Sequence, residues 1–179
     1  MLNLPNILTL SRLVLTIPFL VCLEFPGLEV WALAIFAVAS LTDWLDGYLA
    51  RKLNQITTLG KLLDPLGDKV LVTGALVALA AKDIIPAWSV TAILFREFLV
   101  TGLRAIEASR GMIIPAGWLG KIKTVLQMAA IIVLLYALLP GGQFAQSTGM
   151  VLYWTAVAMT IASGVQYLML SKDLFREPQ

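Results

Sequence analysis

The chain has 179 residues, of which 59% are hydrophobic and only 13% charged. A soluble domain carries ~25% charged residues, so this composition predicts an all-α integral membrane protein. The net charge of +2 gives no electrostatic case for nucleic acid, and having no His and one Cys excludes a His- or Cys-built zinc site and an intramolecular disulfide.

The opening segment "NLPNILTLSR" either leads into the first apolar run, 8–24, or forms a short interfacial helix of its own. It has no basic stretch ahead of the apolar run and no clear cleavage site, so no removable signal peptide is expected. After "FPG" at 25–27 a second apolar segment covers 30–53, and the polar loop "NQITTL" leads to a third at 61–81. "IIPA" at 84–87 precedes the fourth, 86–109, and "IIPAG" at 113–117 precedes the fifth, 118–139. "PGG" at 140–142 separates that from the sixth, 148–170. Each is near the ~20 apolar residues that span a bilayer, which predicts six transmembrane helices. There is no soluble domain, linker, low-complexity tract or convincing repeat, so residues 1–179 form one membrane domain.

Basic residues near span ends set orientation. Arg51, Lys52, Lys61, Arg110, Lys121, Lys123, Lys172 and Arg176 fall on one side and Lys82 alone on the other. Both termini and the second and fourth loops are therefore expected to face the cytoplasm, in a multi-pass protein of the cell membrane.

Within this frame lie four aspartates. Asp43 and Asp46 sit two or three turns before the cytoplasmic exit of the second span, and Asp64 and Asp68 within the first turns of the third. Spacings of three and four put each pair on one helix face. The short loop makes the two helices antiparallel neighbours, so the four carboxylates are expected to converge at one depth. An Asp at the centre of a span costs ~2.5–3.5 kcal/mol on translocon scales, so positive charge is required beside them. An all-oxygen donor set selects hard cations such as Mg²⁺, Mn²⁺ or Ca²⁺, and two divalent ions would balance four carboxylates, as in two-metal phosphoryl-transfer sites. The alternative is an inert ionic patch with Arg51, Lys52, Lys61 and Lys69.

The run Asp43-x-x-Asp46-Gly47-x-x-Ala50-Arg51, eight residues, Gly60-x-x-x-Asp64-x-x-x-Asp68 resembles the signature of the CDP-alcohol phosphotransferases at every fixed position. The resemblance implies a six-helix membrane enzyme, usually homodimeric, that moves a phosphatidyl or similar group from a CDP-linked donor to an alcohol and releases CMP. It assigns Asp43, Asp46 and Asp64 to metal binding, and Asp68 to metal binding and general-base catalysis. Gly47, Ala50, Arg51 and Gly60 fall to the nucleotide side, the small residues allowing its close approach. A carboxylate within hydrogen-bond reach can take the acceptor's proton during attack on phosphorus, which agrees with these roles.

The acceptor is read from the remaining charges. "LFREFLVTGLRAIEASRG" places Arg96, Glu97, Arg104 and Glu107 in the fourth span and Arg110 at its end. Spacing suggests an Arg104–Glu107 pair, whereas Arg96 and Glu97 need not share a face. "GWLGKIKTVLQ" brings Lys121, Lys123, Thr124 and Gln127 to the mouth of the fifth span. Juxtamembrane lysines ordinarily touch anionic headgroups. Arg104, Arg110, Lys121 and Lys123 together surround the level of the aspartates, which suits an acceptor carrying its own phosphate.

"NLPNILTLSR", "REFLVTGLR" and "SRG…IPAG..GKIKT" are similar to the branch of the family that uses CDP-diacylglycerol as donor and sn-glycerol 3-phosphate as acceptor, over nearly all the chain and weakening after about residue 140. By that resemblance Asn6, Thr9 and Arg12 help bind the donor headgroup, although Asn6 and Thr9 equally suit helix caps. Two other readings are a family member with another acceptor (inositol phosphate, serine or phosphatidylglycerol) and a divalent cation transporter. An uncharged acceptor leaves the basic residues unexplained. A transporter site is expected near the midplane between repeats, not at one face. Gly74, Gly102 and Gly164 are candidates for close helix packing, within the chain or in a dimer.

Overall fold

A computed structural model describes the backbone of residues 4–53, 58–110 and 118–172, and the side chains of residues 10–42, 67, 69–110 and 118–172. It contains six α-helices: α1 (Leu4–Glu24), α2 (Glu29–Leu53), α3 (Thr58–Ala81), α4 (Ala87–Ser109), α5 (Trp118–Ala137) and α6 (Gln146–Leu170), with a 3₁₀ turn at Gln143–Ala145. The opening segment is continuous with α1 rather than a separate interfacial helix. No helix breaker stands between Asn6 and Pro18, so nothing ends the helix at the expected membrane boundary.

The connections carry the turn chemistry their residues dictate. Gly27 and Gly141 adopt φ of 90° and 81°, which glycine enters without steric cost. In the first turn Glu29 Oε2 accepts the Gly27 N–H at 2.9 Å. Glu29's own backbone amide, together with that bond, holds the Glu29 carboxyl below the usual range. Pro86 stands immediately before α4.

Helix order follows from which residues are buried together. The main apolar core takes Phe19 and Leu23 late in α1, Phe36 early in α2 and Leu76 and Leu79 late in α3. It continues with Ile93 early in α4, Leu134 late in α5 and Tyr153 early in α6. Alternation of late and early positions is what an up-and-down bundle produces, and it places the apolar core toward one end. Phe19 and Phe36 meet at 5.5 Å between ring centroids. Helix α1 packs against α2 and α3, α5 packs chiefly against α6, and α4 bridges α3 and α6.

The outer surface is unusually apolar. Ile17, Trp31, Trp88, Phe95, Phe98, Trp118 and Val151 are each more than three-fifths exposed. Among the described residues, two helical segments, Trp118–Ala137 and Gln143–Leu170, are long and apolar enough to cross a membrane. Close packing of the glycines is internal in two cases. A Cβ on Gly74 would touch Leu20 and Thr16 of α1, and one on Gly164 would lie 2.9 Å from Arg96 Cγ, while Gly102 faces open space.

Candidate active site

At the end of the bundle opposite the apolar core, polar residues occupy the complementary half of α1, α3, α4 and α5. Arg12 precedes the core residues of α1, and Lys69 and Thr73 lie at or before those of α3. Glu97 and Arg104 follow those of α4, and Lys123 and Gln127 precede those of α5. These side chains line one cavity of about 280 Å³.

Glu97 is the cavity's charge centre. Its Oε1 accepts from Arg96 Nη1 at 3.1 Å and from Lys123 Nζ. Lys123 is only 3% exposed, and a buried ammonium persists as a charge when paired and hydrogen-bonded. The neighbouring Arg96 and Glu97, which their spacing had left apart, thus form an ion pair. Arg96 is guided to Glu97 between two glycines: its Cγ passes Gly164 of α6, and its Nη2 passes Gly120 of α5. Lys69 Nζ donates to Thr101 Oγ1, tying α3 to α4 on the cavity wall.

A second polar cluster joins the ends of α4 and α6. Glu107 is 2% exposed and accepts hydrogen bonds from the Tyr167 hydroxyl and, at 2.6 Å, from Ser171 Oγ. The Arg104 guanidinium lies over the Tyr167 ring, 5.4 Å from its centroid. The Arg104–Glu107 pairing suggested by their spacing is therefore replaced by a shared contact with Tyr167. The reason is tertiary: α6 inserts an aromatic hydroxyl between residues one turn apart on α4. From that position Arg104 lines both the main cavity and a smaller one of about 20 Å³ beside Ser163 and Gln166.

The four basic residues assigned to the acceptor separate into two kinds. Arg104 and Lys123 line the cavity. Arg110, which caps α4, and Lys121 are exposed and are not among its lining residues. Arg12, assigned to the donor side, is 1% exposed and lines the same cavity. Lys69 and Thr73, which no motif had singled out as ligands, join it from positions one turn apart on α3.

Asp43, Asp46, Gly47, Ala50 and Arg51 fall on α2, and Gly60, Asp64 and Asp68 on α3. Asn6 and Thr9 fall within α1, past its first residues. The side chains of all ten lie outside the described residues, as does the convergence expected of the acidic faces. Both helices are continuous through the positions of the acidic pairs, and α1 packs on both helices. An all-carboxylate donor set of this kind fits hard divalent cations.

The sequence matches the family described as CDP-alcohol phosphatidyltransferase over residues 2–162. The chain belongs to this family. It is 43% identical to a Bacillus subtilis protein named CDP-diacylglycerol–glycerol-3-phosphate 3-phosphatidyltransferase, over 93% of this chain and 94% of the relative. A Rickettsia typhi protein of the same name is 37% identical over 97% of this chain and 99% of its own length. A Mycobacterium tuberculosis protein named probable phosphatidylglycerophosphate synthase is 40% identical over 93% of this chain and 80% of the relative. Family membership gives the chain one kind of chemistry, transfer of a phosphate-linked group to an alcohol.

Proposed function

We propose that the protein transfers the phosphatidyl group of CDP-diacylglycerol to sn-glycerol 3-phosphate, giving phosphatidylglycerophosphate and CMP. The observation that carries this is the 43% identity, over nearly the full length of both chains, to a relative bearing the name of that activity. The cavity is consistent with it. Arg12, Lys69 and Arg104 line one space with the Lys123–Glu97 pair, and guanidinium groups suit phosphate oxygens.

In this reading the primary hydroxyl of the acceptor attacks the phosphorus of the phosphatidyl group. A new P–O bond forms, the P–O bond to CMP breaks with its electron pair leaving on CMP, and Asp68 takes the hydroxyl proton. Asp43, Asp46, Asp64 and Asp68 would hold two Mg²⁺ or Mn²⁺ ions, which supply charge neutralisation of the diphosphate and leaving group. Asn6, Thr9, Arg12, Gly47, Ala50, Arg51 and Gly60 serve the donor. Arg104 and Lys123 serve the acceptor phosphate within the cavity, while Arg110 and Lys121 act at its approaches.

The disposition that fits this chemistry is six membrane spans with both termini and the site on the cytoplasmic side of the cell membrane. Membrane lipids surround it, and a homodimer is the expected assembly. The test is to incubate purified protein with CDP-diacylglycerol, Mg²⁺ and a panel of glycerol 3-phosphate, inositol phosphate, serine and phosphatidylglycerol. Phosphatidylglycerophosphate, formed with one CMP per lipid, is the expected product. Preferential use of any other acceptor would overturn the assignment.

A further inference from the structure

We propose that the Gln127 amide and the Glu97 carboxylate together hold the secondary hydroxyl of the acceptor, selecting a glyceryl phosphate over a phosphate ester that lacks it. This rests on the acceptor assignment above and adds a specificity-determining pair to it.

Gln127 lies one helical turn beyond Lys123 on α5, lines the cavity and is 4% exposed. Its Nε2 is buried and has no hydrogen-bond partner among the described residues. Buried polar atoms in native proteins almost always find a partner, so an amide donor left open on a cavity wall points to a ligand acceptor. Across the same cavity, Glu97 directs Oε1 to Arg96 and Lys123, while its Oε2 takes no hydrogen bond from a described side chain. One wall thus offers a donor and another an acceptor, neither with a partner among the described residues.

A hydroxyl is the smallest group that satisfies both, accepting from the amide and donating to the carboxylate. A phosphate does not suit that corner, because the Glu97 charge opposes it. The phosphate instead suits the cations of the same cavity assigned to it above, Arg104 and Lys123. sn-Glycerol 3-phosphate carries three polar groups, and the sites account for each. The phosphate meets the cations, the primary hydroxyl is the nucleophile, and the secondary hydroxyl remains for Gln127 and Glu97.

The experiment compares sn-glycerol 3-phosphate with 3-hydroxypropyl phosphate, which keeps the phosphate and the primary hydroxyl and lacks only the secondary one. The native protein should favour glycerol 3-phosphate by roughly 10- to 100-fold in kcat/KM. Gln127→Met, close in shape but without the amide, should contract that ratio by about fivefold or more. The ratio is the readout because a merely structural role for Gln127 would slow both acceptors alike. Gln127→Asn, which withdraws the amide by one methylene, should contract the ratio as well and serves if the Met variant does not fold. A native protein that treats both acceptors alike, or a folded variant with the native ratio, overturns the proposal while leaving the acceptor assignment standing. A native protein that uses neither acceptor but transfers to another alcohol rejects the assignment and this inference with it.

Discussion

Lys123 of α5 donates a hydrogen bond to Glu97 of α4, a residue 26 positions earlier, and the pair forms part of the cavity wall. Arg96 joins the same carboxylate oxygen. One acid therefore offsets two cations where the two helices meet.

Removing that acid should leave both cations unbalanced. Breaking a buried ion pair by truncating one partner costs ~3–5 kcal/mol. Glu97 is itself one-fifth exposed, which places Glu97→Gln toward the lower end of that range. Thermal unfolding in detergent should show the loss, and adding Lys123→Met should restore part of it. Equal stability of the native protein and Glu97→Gln would mean that the pair does not hold α4 to α5.

How far the sequence revealed this arrangement depends on the kind of contact. The helices follow from apolar length and turn residues: 30–53 was expected where α2 runs 29–53, and 86–109 where α4 runs 87–109. Hydrophobic length and Pro or Gly punctuation are local properties, and both are written in the chain. The partners of the charged residues are not local. Glu107 was matched to Arg104 by spacing, yet Tyr167 and Ser171 reach it from 60 and 64 residues away. A signal existed in Tyr167 and Ser171 themselves, polar groups one turn apart at the end of an apolar helix. Likewise Gln127 follows Lys123 by one turn, but only the packed bundle leaves its amide open on a cavity.

The Glu107–Tyr167–Arg104 contact separates two roles of one ring. Tyr167→Phe removes the hydroxyl and should cost ~1.5–3 kcal/mol, the range for a hydrogen bond to a charged group, while keeping the ring beneath Arg104. Tyr167→Leu removes both and should raise the acceptor KM several-fold more than the Phe variant does. Steady-state kinetics and unfolding on the same preparations check this. Identical KM values for the two variants would dissociate the ring from the placement of Arg104.

Gly164 offers a test of where close packing is needed. An added Cβ would lie 2.9 Å from Arg96 Cγ, so Gly164→Ala must displace the arginine that reaches Glu97. Overpacking of this kind costs ~1–3 kcal/mol. Arg96→Ala in the same chain should relieve the clash, giving a double variant more stable than the sum of the single changes implies. Size-exclusion in detergent should show an unchanged oligomer. A Gly164→Ala protein that loses its oligomeric state without losing stability would place this glycine at a subunit interface instead.

Metal dependence is tested through the aspartates. Asp43→Asn, Asp46→Asn and Asp64→Asn should each abolish turnover while the protein stays folded, and EDTA should do the same reversibly. Asp68→Asn keeps an oxygen ligand and loses the proton acceptor, so the rate should fall ~10²–10⁴-fold with donor binding largely retained. Near-normal turnover in the first three variants would exclude the two-metal reading.

Grip of the acceptor phosphate by the cationic cavity is tested most directly by incorporation of labelled glycerol 3-phosphate and labelled glycerol into lipid, measured side by side with CDP-diacylglycerol as donor. The native protein should use glycerol 3-phosphate efficiently and glycerol very poorly. Arg104→Gln should lower kcat/KM for glycerol 3-phosphate by roughly 10- to 150-fold, toward the low end because Arg104 is exposed, and should change glycerol use far less. Comparable efficiencies for the two acceptors in the native protein would contradict the account.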